Sequence, residues 1–150
     1  MVRPDLTDPR LLRRPLEIGV VVIVAHCAIG LGLTGRDYFP VFVELTERFP
    51  NLYGDTSAFN TPARVARAKA CLRQPLADRL VHGSDFPVPV FGHWAWAAGL
   101  VSWTRMWRIQ RLGVLERDYQ LKRAMGFDAA HLTRAYGLLR LKADRIKSSA

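Results

Sequence analysis

The clearest pattern in the chain is a series of short strand-like segments, the first of them continuously apolar, each cut off by small or polar residues. Val20-Val21-Val22-Ile23-Val24-Ala25 is β-branched without alternation, which predicts a strand buried on both faces, as in a parallel sheet covered by helices. Leu52-Tyr53-Gly54-Asp55-Thr56 and Ala77–Val81 predict a second and a third strand. Helical patterns alternate with them. Asp8-Pro9 opens a helical segment over Arg10–Glu17 in which Pro15 introduces a kink, and Gly19 closes it. Asp37 caps a helix reaching Arg48, with Phe39, Phe42, Val43, Leu45 and Phe49 as its apolar side. Thr61-Pro62 opens another, with Val65, Ala68 and Leu72 inward and its end near Leu72. Strands separated by helices at one βαβ unit each imply parallel pairing with right-handed crossovers.

Beyond Pro89 the pattern changes. Val90–Trp107 holds Phe91, Trp94, Trp96, Trp103 and Trp107 with Arg105 as its one charged residue. The spacing of Trp96, Trp103 and Trp107 predicts one helix whose indole face packs into the core. A membrane-surface helix is the competing reading. Arg117–Met125 and Asp128–Leu141 read as two further helices, and the tail from Lys142 as frayed. The fold class expected is α/β in one domain over residues 1–150: βα units in about 8–90, then a helical region over 91–141.

Composition narrows the function classes. The chain has 150 residues, 49% hydrophobic and 23% charged, which suits a folded protein with a core. Its net charge of +9 is lopsided, since residues 101–150 hold eleven basic against four acidic side chains. The basic residues are mostly arginine, scattered at helical spacing without a block, so a solvated helix face is expected and no nucleic-acid partner. No apolar stretch is long enough for a membrane span. Cys27 and Cys71 stand far apart, and no leader-like core follows the charged start, so a cytoplasmic setting is expected.

The candidate chemistry lies at the strand ends. His26 ends the first strand, and Leu80-Val81-His82-Gly83-Ser84-Asp85-Phe86-Pro87 carries Asp85 past the end of the third. On a parallel sheet both occupy the C-terminal edge, where α/β folds keep their sites. Taken alone, Asp85 reads first as an N-cap, and His26 first as a structural residue. Together, imidazole and carboxylate can bind a divalent metal or share a proton as base and orienter. His82 is a weaker candidate, while His93 and His131 read as loop and helix-surface residues.

Three segments in order, Val22-Ile23-Val24-Ala25-His26-Cys27, Asn51-Leu52-Tyr53-Gly54-Asp55-Thr56-Ser57 and Arg79–Pro87, resemble strands six to eight of the amidohydrolase superfamily. The likeness is to its amidohydrolase-related (type 2) TIM-barrel hydrolases and decarboxylases. Ala130–Leu139 is similar to that family's terminal helix. The resemblance implies the C-terminal portion of a (β/α)8 barrel. It also implies Asp85 as metal ligand and proton shuttle, and His26 as a metal ligand or water-orienting group. The implied cofactor is a divalent metal, zinc first, with manganese or iron as alternatives. The implied partner is a small-molecule substrate of amide, ester or lactone type, or a carboxylate to be lost. The family's His-x-His pair and fifth-strand histidine have no counterpart here, and its barrel takes roughly 250 residues. The expectation is therefore an incomplete site that retains metal poorly, awaiting a missing N-terminal half. The alternative is a non-catalytic half-barrel that self-associates to cover its edges.

Overall fold

A computed structural model describes residues 4–30 and 36–139. Its centre is a parallel sheet of order β1-β2-β3, formed by Val22–Val24, Leu52–Asp55 and Leu80–Val81. Val22, Ile23 and Val24 stand opposite Leu52, Tyr53 and Gly54, and Gly54 and Asp55 stand opposite Leu80 and Val81. This is the sheet expected from the apolar runs, with shorter strands. Ala77–Arg79 of the third run belongs to a 3-10 turn over Leu76–Arg79 instead.

The helices between strands also follow the pattern. The first segment divides into a 3-10 turn, Pro9–Leu12, and helix α1, Arg13–Glu17. Asp8 caps the turn, its side chain accepting from the Arg10 N–H at 2.9 Å. Helix α2, Phe39–Arg48, crosses from β1 to β2, and α3, Pro62–Cys71, from β2 toward β3. Phe42 and Leu45 of α2 and Val65, Ala68 and Cys71 of α3 enter one core with Leu52 and Leu80. Gly54 makes this approach possible: a Cβ there would lie 2.6 Å from the Phe42 ring and 2.7 Å from the Cys27 sulfur. Any side chain in the middle of β2 would push α2 off the sheet.

Two expectations need correction. The first strand is not buried on both faces. β1 is an edge strand of the described residues, its three side chains are half-buried, and the preceding Val20 and Val21 are 46% and 50% exposed. The β-branched run has the composition of a central strand but no neighbour on its outer side here. β3, by contrast, has its outer edge covered. The His82 N–H donates to the His131 carbonyl at 3.1 Å, and the Arg134 guanidinium bonds to the Leu80 carbonyl.

The second correction concerns Val90–Trp107, which is two helices, α4 (His93–Ala97) and α5 (Trp103–Gln110). Gly99 turns the chain at φ +68°, a left-handed conformation that breaks a helix and favours glycine. Ser102 then caps α5, its hydroxyl accepting from the Arg105 N–H. The core side of this pair is Ala95, Met106 and Ile109, and the indoles lie outside it. Helices α6, Val114–Met125, and α7, Ala129–Leu138, complete the described chain, with Asp128 capping α7 as expected. The tail from Lys142 lies outside the described residues.

Candidate active site

The C-terminal edge of the sheet is built on unusual backbone. Immediately after β1, His26, Cys27 and Ala28 have φ of 42°, 53° and 56°, a left-handed run of non-glycine residues. Each such residue costs about 1–2 kcal/mol, so partners must hold the run in place. Asp55 at the end of β2 supplies the main one. Its Oδ1 accepts from the His26 N–H at 2.7 Å and from the Ser57 N–H at 2.9 Å, while the Cys27 thiol reaches the Asp55 carbonyl at 3.2 Å. Asp55 is thereby committed to backbone donors and ties the end of β1 to the end of β2.

Asp85 also has a left-handed backbone, φ 61°, two residues beyond Gly83. It caps no helix: the next one starts at His93, and the Asp85 carboxylate turns to the side chain of Arg64. The Arg64 Nη1 donates to Asp85 Oδ2 at 3.1 Å and to the Ser57 carbonyl at 3.2 Å. The Arg64 side chain is only 5% exposed and that of Asp85 40%, so a buried cation holds one oxygen of an accessible carboxylate. Oδ1 of Asp85 has no partner among the described residues.

His26 faces the same charges. Burial lowers its pKa below the ordinary histidine value, the Arg64 charge adds to the shift, and Asp55 and Asp85 partly oppose it. Its imidazole is therefore neutral at pH 7, with a buried Nδ1 that has no hydrogen-bond partner among the described residues. A neutral ring with a free nitrogen is a competent ligand or proton acceptor.

Beneath this edge lies a buried ionic pair that local sequence does not reveal. Lys122 and Asp118, one turn apart on α6, have side chains 1% and 2% exposed and meet at 2.8 Å. The Lys122 ammonium also donates to the Gly83 carbonyl, so α6 holds the turn that presents Asp85. Burial lowers the Lys122 pKa and raises that of Asp118, each against the pull of its partner. An acid–base pair at i,i+4 ordinarily marks a solvated helix face. The buried Leu121 and Met125 on the same helix are the sequence signal that this face turns inward. Arg64 carried a similar signal, since it shares a helical stripe with Ala68 and Cys71.

The remaining histidines sort differently from expectation. His131 is no surface residue: it is buried, with Nε2 3.0 Å from the Thr56 hydroxyl and its ring against Phe127 and His82. It packs α7 onto the ends of β2 and β3. Burial, with the charge of Lys122 adding to it, lowers the His82 pKa to about 4, so its 3.6 Å approach to Asp118 is not an ion pair at neutral pH. His93 opens α4 and meets the Trp107 ring edge-on at 5.8 Å.

A divalent metal was tested against these donors. No group of three or more His, Cys, Asp or Glu residues capable of holding an ion occurs among the described residues. Asp85, through its unpartnered Oδ1, and the His26 imidazole offer two donors among the described residues, fewer than a stable site needs. Structural and catalytic zinc sites take three or four protein ligands. The described residues do not make such a site unaided.

The architecture and the edge chemistry define a parallel α/β protein with an accessible carboxylate and a neutral imidazole at the C-terminal ends of its outer strands. The amidohydrolase family model matches residues 18–128, and the chain belongs to that family. The match spans all three strands, His26, Asp85 and most of the helical region. Amidohydrolases generally use divalent metals and act on small molecules. No curated protein and no solved structure gives a significant match. No helix among the described residues is long and apolar enough to cross a membrane.

Proposed function

We propose that this chain is the C-terminal portion of an amidohydrolase (β/α)8 barrel, forming one partial domain over residues 1–150 with β1–β3 as the last three strands. It contributes Asp85 and His26 to a site that hydrolyses an amide, ester or lactone-type bond, or releases carbon dioxide from a carboxylate. The observation that carries this reading is Asp85: an accessible carboxylate at a strand end, in a family member, with one oxygen held by buried Arg64 and the other without a partner among the described residues. In this role Oδ1 takes a proton from the attacking water and returns it to the leaving group, while Arg64 keeps the carboxylate oriented. Neutral His26 accepts a hydrogen bond from the water or the substrate.

The donors on this chain do not hold a metal alone, so any zinc, manganese or iron centre requires ligands from polypeptide beyond the described residues. The exposed β1 edge is where additional strands would pair, and closing the barrel also requires its first strand to replace the α7 contacts on the outer edge of β3. The same edge supports a second reading, a non-catalytic half-barrel that self-associates through β1. Light scattering separates the two, since that reading requires a stable dimer or larger oligomer without added polypeptide.

The catalytic reading is tested by supplying a polypeptide that carries the remaining strands and assaying a panel of amides, esters, lactones and carboxylates. Asp85→Asn preserves shape and removes the base, with an expected loss of about 10²–10⁴ in kcat. Turnover that survives Asp85→Asn undiminished removes Asp85 from the mechanism.

A further inference from the structure

The helical pair α4–α5 presents a surface that the hydrolase reading does not use. The thirty residues from Phe86 to Leu115 contain no acidic side chain, three arginines and all four tryptophans of the chain. Three of the indoles are gathered on one side. Trp96 meets Trp103 at 4.9 Å between ring centroids, Trp103 meets Trp107 at 5.5 Å, and every indole in the pair is 44–48% exposed. At 100° per residue, Met106 and Ile109 take the buried side of α5. The exposed arc then begins with Trp103 and Trp107 and continues through Arg111 and Arg108 to Arg105. Aromatic rings thus border a guanidinium face with no carboxylate among them.

We propose that this face docks on the surface of an anionic lipid bilayer, the indoles entering the headgroup boundary and Arg105, Arg108 and Arg111 meeting lipid phosphates and carboxylates. Charge complementarity favours this occupant. The chain carries +9, eleven of its 22 basic residues lie from position 101 onward, and no acidic residue from Phe86 to Leu115 opposes an anionic surface. Indole and guanidinium are the two side chains suited to the boundary between headgroup and acyl chain. The helices are too short to span a bilayer, so the contact is peripheral. A single-stranded nucleic acid would require free ring faces for base stacking. Here Trp96, Trp103 and Trp107 already meet edge to face, so a ring face in each contact is covered by its neighbour's edge.

The test is co-sedimentation of the chain with phosphatidylserine–phosphatidylcholine vesicles, with phosphatidylcholine vesicles alone as reference. Indole quenching by lipids brominated along the acyl chain is read in parallel. Binding is expected only to the anionic vesicles, with quenched and blue-shifted indole emission and weakening as salt is raised. The triple substitution Arg105→Gln, Arg108→Gln and Arg111→Gln touches exposed side chains only. It should lower partitioning by about 100-fold, at about five-fold per arginine held at an anionic surface. The triple Arg13→Gln, Arg14→Gln and Arg73→Gln removes the same charge elsewhere and should leave partitioning within about two-fold. Equal losses in the two triples, binding without quenching, or no vesicle binding in low salt would each overturn the proposal. So would tighter, arginine-dependent binding to a single-stranded oligonucleotide, or self-association that shields the indoles from an aqueous quencher.

Discussion

Lys122→Met removes the ammonium from beneath the Asp85 turn and leaves its two acceptors in place. The Asp118 carboxylate would stay in a site where its side chain is 2% exposed and its Oδ1 already lacks a partner. The Gly83 carbonyl would lose the donor that α6 provides. Breaking a buried ion pair from one side costs about 3–5 kcal/mol, chiefly because a charge is left uncompensated. Asp118 can reduce that cost by protonating, since burial already raises its pKa. The expected loss is therefore at the lower end, about 3 kcal/mol, a large share of the 5–15 kcal/mol typical of a folded domain. The double variant Lys122→Met, Asp118→Leu removes both charges and fills the space with apolar volume. It should recover most of the loss, leaving about 1.5 kcal/mol for the carbonyl that lost a charged donor. Urea unfolding followed by circular dichroism measures each variant, with the midpoint reporting stability and the slope reporting compactness. The cycle should show a coupling of at least about 1.5 kcal/mol. A single Lys122→Met that costs under about 1 kcal/mol at unchanged slope would show that the pair is solvated, and the argument for a buried ionic support would fail.

Two further outcomes follow from the same packing. Gly54→Ala places a methyl carbon against the Phe42 ring and the Cys27 sulfur, and should cost about 1–3 kcal/mol by urea unfolding. Gly137→Ala, inside α7 and meeting nothing within 4 Å, is the control and should be neutral or stabilising by up to about 1 kcal/mol. Acid should destabilise the fold between pH 6.5 and 4. Burial, with the charges of His82 and Lys122 adding to it, lowers the His131 pKa from 6.5 to about 3, so across this window the unfolded chain binds a proton that the folded chain refuses. Stability is therefore complete above pH 6.5 and falls as pH drops, by about 3–5 kcal/mol for His131 once the window is crossed. His131→Phe should reduce that dependence in melting temperatures recorded from pH 7 to pH 4, leaving the part contributed by His82, whose pKa burial also lowers.

The first strand was legible from its continuous β-branched run, and the other two from short apolar stretches cut off by glycine and polar residues at one βαβ spacing. The helix between each pair was legible for a similar reason, Asp8 and Thr61 each standing before proline and Phe42 and Leu45 recurring at helical spacing. Local pattern could not report the surroundings of Val20–Ala25, because an apolar run looks the same whether or not a neighbouring strand covers it. The indole segment is two helices where its spacing predicts one because an isolated glycine costs a helix interior only about 1 kcal/mol, so Gly99 alone does not announce the break it makes at φ +68°. Arg64, Lys122 and Asp118 were missed as site residues because charge on a helix normally marks the solvated face. Their burial depends on contacts with Asp85 and Gly83, 21 and 39 residues away in the chain. His131 was missed for the same reason, its partner Thr56 lying 75 residues earlier.

These long-range contacts also assign the carboxylates around the strand ends. Asp55 spends its Oδ1 on two backbone N–H groups and fixes the left-handed turn at His26. Asp118 is buried against Lys122, and through it supports Gly83. Neither can leave its partner without releasing a strained backbone or a buried charge. Asp85 differs on both counts. It is accessible, it holds its single ionic contact through one oxygen, and the cation that orients it is anchored a second time on the Ser57 carbonyl. A carboxylate held this way keeps its position while its other oxygen exchanges a proton. The unfavourable φ of 61° at Asp85 fits the same assignment, since strained backbone persists where surrounding contacts over-determine a functional side chain. Under the proposed function the chemistry of this edge rests on Asp85, with Asp55 holding the turn at His26 and Asp118, through Lys122, supporting the turn that carries Asp85.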